Sequence, residues 1–117
     1  MSHWTIVATD ITDVERLKEA AKDLKIKITE RDGRIYLGES NYLYLEKSGK
    51  KYKLHADWHY VHDNLKPEKI TELTNRYNYR VMESEARKRG MFITDFERTK
   101  TGGYRCKVIQ RHQTIIR

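Results

Sequence analysis

The stretch Pro67–Arg89, PEKITELTNRYNYRVMESEARKR, decides the fold: it is the longest uninterrupted helical pattern in the chain, and the rest reads as a sheet for it to cover. Pro67 suits the first turn, where its missing N–H would have no intrahelical partner, and Gly90 suits the left-handed position just past the end. At about 100° per residue Ile70, Leu73, Tyr77 and Val81 fall in one stripe, with Thr74 and Ser84 at its edges, so this face packs inward. A second stripe, turned about 90° from the first, carries Lys69, Arg76, Arg80, Glu83 and Arg87 and faces water or a ligand. At ~1.5 Å per residue the helix is about 34 Å long, enough to cross a small sheet diagonally.

The flanking segments supply that sheet. Residues 3–9 alternate Trp4, Ile6 and Ala8 against Thr5, Val7 and Thr9, which reads as a strand near the middle of a sheet. Thr12 stands three residues before Glu15 in the spacing of a capping box, and Val14, Leu17, Ala21 and Leu24 follow at helical spacing, predicting a helix over 13–24. Residues 25–31 switch to a period of two. Asp32-Gly33 then predicts a type I′ hairpin turn, because both central positions need positive φ, and residues 34–37 form the answering strand. Tyr42 to Glu46 places tyrosines on one face and leucines on the other, Ser48-Gly49-Lys50 closes the next hairpin, and the meander continues through Trp58. Beyond Gly90, residues 91–98 alternate around Phe92 and Phe96, and residues 104–111 form a closing strand with Cys106 and Val108 on one face and Arg105, Lys107, Ile109 and Arg111 on the other. The order β-α-β-β-β-β-α-β-β predicts an α+β fold, a largely antiparallel sheet with two helices packed on one face, as a single domain over 1–117.

Composition agrees with one ordered domain. The 117 residues are 38% hydrophobic and 35% charged, with mean hydropathy −0.89, eight tyrosines and two tryptophans. A single cysteine, Cys106, excludes an internal disulfide and a multi-thiolate zinc site. No apolar run is long enough to span a membrane and the opening shows no leader pattern, so a cytoplasmic setting is expected. The net charge of +7 is concentrated late: after Glu97 there is no acidic residue, while Arg98, Lys100, Arg105, Lys107, Arg111 and Arg117 are basic. Such an excess attracts phosphate-bearing partners.

Four groupings bear on chemistry. His55, Asp57 and His59 would share one side of a strand, with His62 and Asp63 just beyond, and could hold a divalent metal; a strand running into an exposed polar loop is the stronger explanation, since nothing fixes a further ligand, and no metal or other cofactor is assigned. His3-Trp4-Thr5-Ile6 and His112-Gln113-Thr114-Ile115 resemble the paired motifs of two-histidine phosphoesterases, in which one histidine activates a hydroxyl and the other protonates the leaving group. Arg105, Lys107 and Arg111 on one strand face call either for an anionic ligand or for neighbouring carboxylates such as Asp95 and Glu97. On the long helix Glu72 and Glu83 can pair with Arg76 and Arg87, which leaves Arg80 over, and Tyr79 points away from the apolar stripe as an interface or stacking ring. No phosphate-binding glycine loop, nucleophile setting or carboxylate pair stands out, which points away from an enzyme and assigns no catalytic residue.

Met1-Ser2-His3 before a short strand, Thr12-Asp13 before the first helix, Asp57-Trp58, Arg76-Tyr77, Gly90 and the Gly102-Gly103 hairpin together resemble the family of hypothetical chloroplast reading-frame proteins, which has relatives in cyanobacteria, other bacteria and phages. The resemblance implies a small soluble domain without assigned catalytic residues, a partner ATPase and, for a phage member, sequestration of a nucleotide immune signal inside a homo-oligomer. From the residues themselves, basic side chains mixed with tyrosines predict a non-enzymatic binding protein for a small or cyclic nucleotide. Arg105, Lys107, Arg111, Arg76, Arg80, Tyr79, Trp58 and His3 are the candidate contacts. An adaptor for an ATPase and a phosphodiesterase using His3 and His112 are the alternatives.

Overall fold

The computed structural model describes residues 3–61, 65–101 and 103–110. Its elements run β1 (Thr5–Ala8), α1 (Val14–Asp23), β2 (Ile28–Arg31), β3 (Arg34–Leu37), β4 (Leu43–Ser48), β5 (Lys51–Ala56), a 3-10 turn (Trp58–Tyr60), α2 (Pro67–Lys88), β6 (Met91–Arg98) and β7 (Tyr104–Gln110). The class and the element order are those expected. The strands divide between two antiparallel sheets, five strands in the order β1-β5-β4-β3-β2 and a separate β6–β7 pair. Contacts group the chain into two compact units, Met1–Tyr77 and Asn78–Arg117, with the boundary inside α2.

In the first unit the registers put Ile35, Leu37, Leu43, Leu45, Leu54 and Ala56 on one sheet face, all of them buried. Leu17, Ala20 and Ala21 of α1 and Leu73 and Tyr77 of α2 complete this core. The Tyr77 hydroxyl accepts hydrogen bonds from the backbone N–H groups of Thr12 and Asp13, each 3.0 Å long, and so ties α2 to the entry of α1.

The cap of α1 lies one residue later than the Thr12 box suggests. The Asp13 side chain accepts from the N–H of Arg16 at 3.2 Å, because aspartate is an equally good cap and the backbone N–H groups of Thr12 and Asp13 are turned to Tyr77. The helix closes with a Schellman pair, Ile26 N–H to Ala21 at 2.8 Å and Lys25 N–H to Lys22 at 3.1 Å. Lys25 takes the left-handed position at φ 58°, so β2 begins only at Ile28. Asp32 and Gly33 have φ of 54° and 73°, the two positive values of the expected type I′ turn.

β1 departs from expectation. It sits at the sheet edge, bonded to β5, and all four of its residues are exposed. Strand propensity reports fit to a pleated surface and says nothing about rank within the sheet.

In the second unit β6 and β7 pair with an irregularity: Thr94 faces Lys107 and Glu97 faces Arg105, leaving Asp95 and Phe96 opposite Cys106 alone. Asp95 has φ 53°, the left-handed value that an extra residue in a strand often takes. The bulge turns the alternation over. Phe96 falls on the same side as buried Ile93, whereas Phe92, paired with Ile109, lies on the other and is 42% exposed. Phe96 stacks on Tyr104 at 5.4 Å and meets the Tyr79 ring edge-on at 5.4 Å.

Candidate functional site

The face of the five-stranded sheet opposite the leucines is aromatic and cationic. Registers place Ile6, Arg31, Arg34, Tyr36, Tyr44, Glu46 and His55 on it, and strand alternation adds Trp4 and Tyr42. The rings touch in a continuous row: Trp4 lies 6.1 Å from Tyr42 and 5.7 Å from Tyr44, Tyr42 stacks on Tyr60 at 5.0 Å, Tyr36 meets Tyr44 at 5.3 Å, and His55 lies flat on Tyr44 at 4.8 Å. Two guanidinium groups lie over this row, Arg31 at 4.1 Å from the Tyr36 centroid and Arg34 at 4.3 Å from that of Tyr44. Tyr36 and Tyr44 are thereby buried, while Trp4 and Tyr42 keep 42% and 39% of their surface exposed, leaving accessible rings beside the guanidiniums.

Local structure explains why the cations stay there. Arg31 and Arg34 are direct cross-strand neighbours flanking the Asp32-Gly33 turn, and like charges so placed repel. Stacking on electron-rich rings offsets this, and so do polar partners. Arg34 donates from Nε to Glu46 at 2.8 Å and from Nη1 to the Tyr36 hydroxyl at 3.3 Å; Arg31 bonds the neutral Asn41 side chain. The bonds to Tyr36 and then Glu46 raise the Arg34 pKa, and the Arg34 bond lowers that of Glu46, which also has His55 at 4.0 Å. The face offers flat π surfaces and fixed donors. Its chemistry suits stacking a planar ring and binding an anion.

The residues singled out from sequence are distributed differently. His3, Trp58 and Arg76 belong to the first unit: His3 is exposed with its backbone N–H bonded to Asp57 at 3.1 Å, Trp58 opens the 3-10 turn half-buried, and Arg76 bridges to Asp23 of α1 at 2.7 Å. Tyr79, Arg80, Arg105 and Lys107 belong to the second. Tyr79 is half-buried with its hydroxyl on Glu83 at 3.1 Å, and Arg80, the cation left over in the sequence pairing, reaches the same glutamate at 3.1 Å. Arg105 pairs with Glu97, and Lys107 lies 3.7 Å from Asp95, so carboxylates stand beside both strand cations. Arg111 and His112 lie outside the described residues, as do His62 and Asp63. Asp57 precedes the 3-10 turn and is fully buried, while His55 stacks on Tyr44 and His59 meets the Tyr60 ring edge-on. Among the described residues no three His, Cys, Asp or Glu side chains come together as metal ligands.

An open cleft of about 360 Å³ lies between the end of α1, the β2–β3 region and the start of α2, lined by Lys25, Lys27, Glu39, Leu65 and Lys69 among others. Lys27 is paired with Glu39 and Lys69 with Glu72, each at 3.4 Å, and no aromatic side chain lines it. Among the described residues no helix is long and apolar enough to cross a membrane. No protein-family model, curated protein or solved structure matches the chain.

Arg31, Arg34, Tyr36, Tyr42, Tyr44 and Trp4 are the residues that reading along the chain does not gather. The signal was partly present in the two-residue alternation of Tyr42 and Tyr44 and in the arginines flanking Asp32-Gly33. What it lacked was the register bringing residues 4, 36, 42 and 60 into one row.

Proposed function

We propose that the protein is a non-enzymatic binding protein for a nucleotide ligand, small or cyclic, taken on the aromatic face of the five-stranded sheet. One observation carries the reading: two guanidiniums lie over tyrosine rings, at 4.1 and 4.3 Å from the ring centroids, beside the exposed Trp4 and Tyr42. Exposed rings stack on bases, and guanidinium N–H groups hold phosphate oxygens. A chain carrying +7 favours the same ligands at longer range. The C-terminal hairpin is the weaker choice, because Arg105 and Lys107 both stand beside a carboxylate, whereas on the sheet face Arg34 pairs with Glu46 but Arg31 bonds the neutral Asn41 side chain.

Calorimetry with mono-, di- and cyclic nucleotides tests this, with tryptophan fluorescence as a second readout. Trp4→Ala is expected to weaken binding about tenfold, from the ~1–3 kcal/mol that one base–aromatic stack contributes. Arg31→Ala should weaken it as well, and Arg105→Ala should leave it unchanged. Silence from every nucleotide removes the proposal.

A second reading, an adaptor that docks a partner such as an ATPase, is favoured by the large apolar side chains exposed on β6 and β7: Phe92, Val108 and Ile109. Its test is co-purification of an ATPase with the tagged chain from its native host, lost in Phe92→Glu.

A further inference from the structure

β1 has the composition of a strand from the middle of a sheet and lies at the edge of one. Thr5, Ile6, Val7 and Ala8 are uncharged, and Ile6 and Val7 keep 57% and 48% of their surface exposed. Ile6 lies on the aromatic face and Val7 on the leucine face, so the strand is uncovered on both sides. Its inner edge bonds to β5, and among the described residues nothing pairs with its outer edge.

Such an edge presents a row of backbone donors and acceptors, and monomeric proteins blunt it with charge, proline or a bulge. β1 is short, at four residues, and has no charge, proline or bulge within it. The opposite edge, β2, is charged: it carries Glu30 and Arg31 and follows Lys27. The occupant that suits β1 must therefore supply a strand, carry no opposing charge and cover apolar side chains on both faces.

We propose that β1 pairs antiparallel with β1 of a second copy of this chain, joining two five-stranded sheets into one of ten. A two-fold axis normal to the sheet keeps the two aromatic faces on one side. It also sets each residue opposite one of equal parity, so the pairing is centred on Ile6 or on Val7. Side chains of both faces then gain apolar neighbours, and no like charges meet. The inference rests on the edge alone and is independent of the ligand reading.

Analytical ultracentrifugation of the full chain is expected to show a concentration-dependent dimer. Ile6→Lys combined with Val7→Lys should sediment as monomer with an unchanged far-ultraviolet dichroism spectrum, while Thr29→Lys on β2 should still dimerise. A wild-type monomer at every concentration overturns the proposal, and so does a dimer that persists in the folded double variant. Should that variant unfold, Ile6→Cys and Val7→Cys, each with Cys106→Ala, decide. The residue on the axis meets its own copy at a Cα separation of about 4.5–5.5 Å, within reach of a disulfide. A reducible covalent dimer from one of them and none from Thr29→Cys supports the pairing; no such dimer from either overturns it.

Discussion

Tyr77 carries two duties on one ring: its apolar body sits in the core at 3% exposure, and its oxygen accepts both backbone N–H groups that lead into α1. Tyr77→Phe keeps the body and leaves those two donors without that acceptor, so it is expected to destabilise the fold by about 1–3 kcal/mol, measured by urea unfolding. The apolar duty is visible in sequence through the stripe with Leu73. The polar one depends on a partner 64 residues away and is not. Local rules fare well where a residue settles its own backbone, as at Asp32-Gly33, and less well where two neighbours compete, as Thr12 and Asp13 do for the cap.

Glu46 gives a pH signature. The Arg34 bond lowers its folded-state pKa, so its stabilising contribution is present above the unfolded glutamate value of about 4.3 and is lost as pH falls through the lower folded value. Carboxyl NMR titration should place the Glu46 midpoint below that of a glutamate in an unstructured peptide. Arg34→Gln should move it up; an unmoved midpoint would mean that the ion pair does not form in solution.

Among elements, the β2–β3 hairpin shows a turn whose chemistry is conformational. A Cβ on Gly33 would meet nothing within 4 Å, so the cost of Gly33→Ala arises from φ 73° alone. About 1–2 kcal/mol of destabilisation is expected, read from a shifted denaturation midpoint at unchanged slope. The β6–β7 hairpin shows the opposite limit. Its strands are legible from alternation, but Asp95 inserts a residue and sends Phe92 and Phe96 to different faces, which period-two reading cannot foresee. The long helix is legible at both ends, from Pro67 to Gly90 at φ 70°, because proline and glycine state their backbone requirements directly.

Across the whole molecule, the α+β class and the order of elements follow from periodicity and turn residues, which are local. The candidate site does not, because the aromatic row runs from Trp4, just before β1, across β3, β4 and β5 to the 3-10 turn and exists only once registers are fixed. Charge was legible as an excess and only in part as a distribution: Asp95, Glu97 and the Glu83–Arg87 pair were foreseeable, the Asp23 and Glu83 partners of Arg76 and Arg80 were not. Arg76, Arg80, Arg105 and Lys107 have carboxylate partners in Asp23, Glu83, Glu97 and Asp95, while Arg31 bonds neutral Asn41 beside a tyrosine.

Asp57 is sealed from solvent, with one oxygen bonded to the His3 N–H across 54 positions and the other without a side-chain or backbone partner among the described residues. A latch of such long span closes a large loop, and we expect it to form late in folding. Asp57→Ala is therefore expected to leave the refolding arm of a stopped-flow chevron nearly unmoved and to raise the unfolding arm. The opening of the chain then governs how long the native state lasts more than how quickly it is reached.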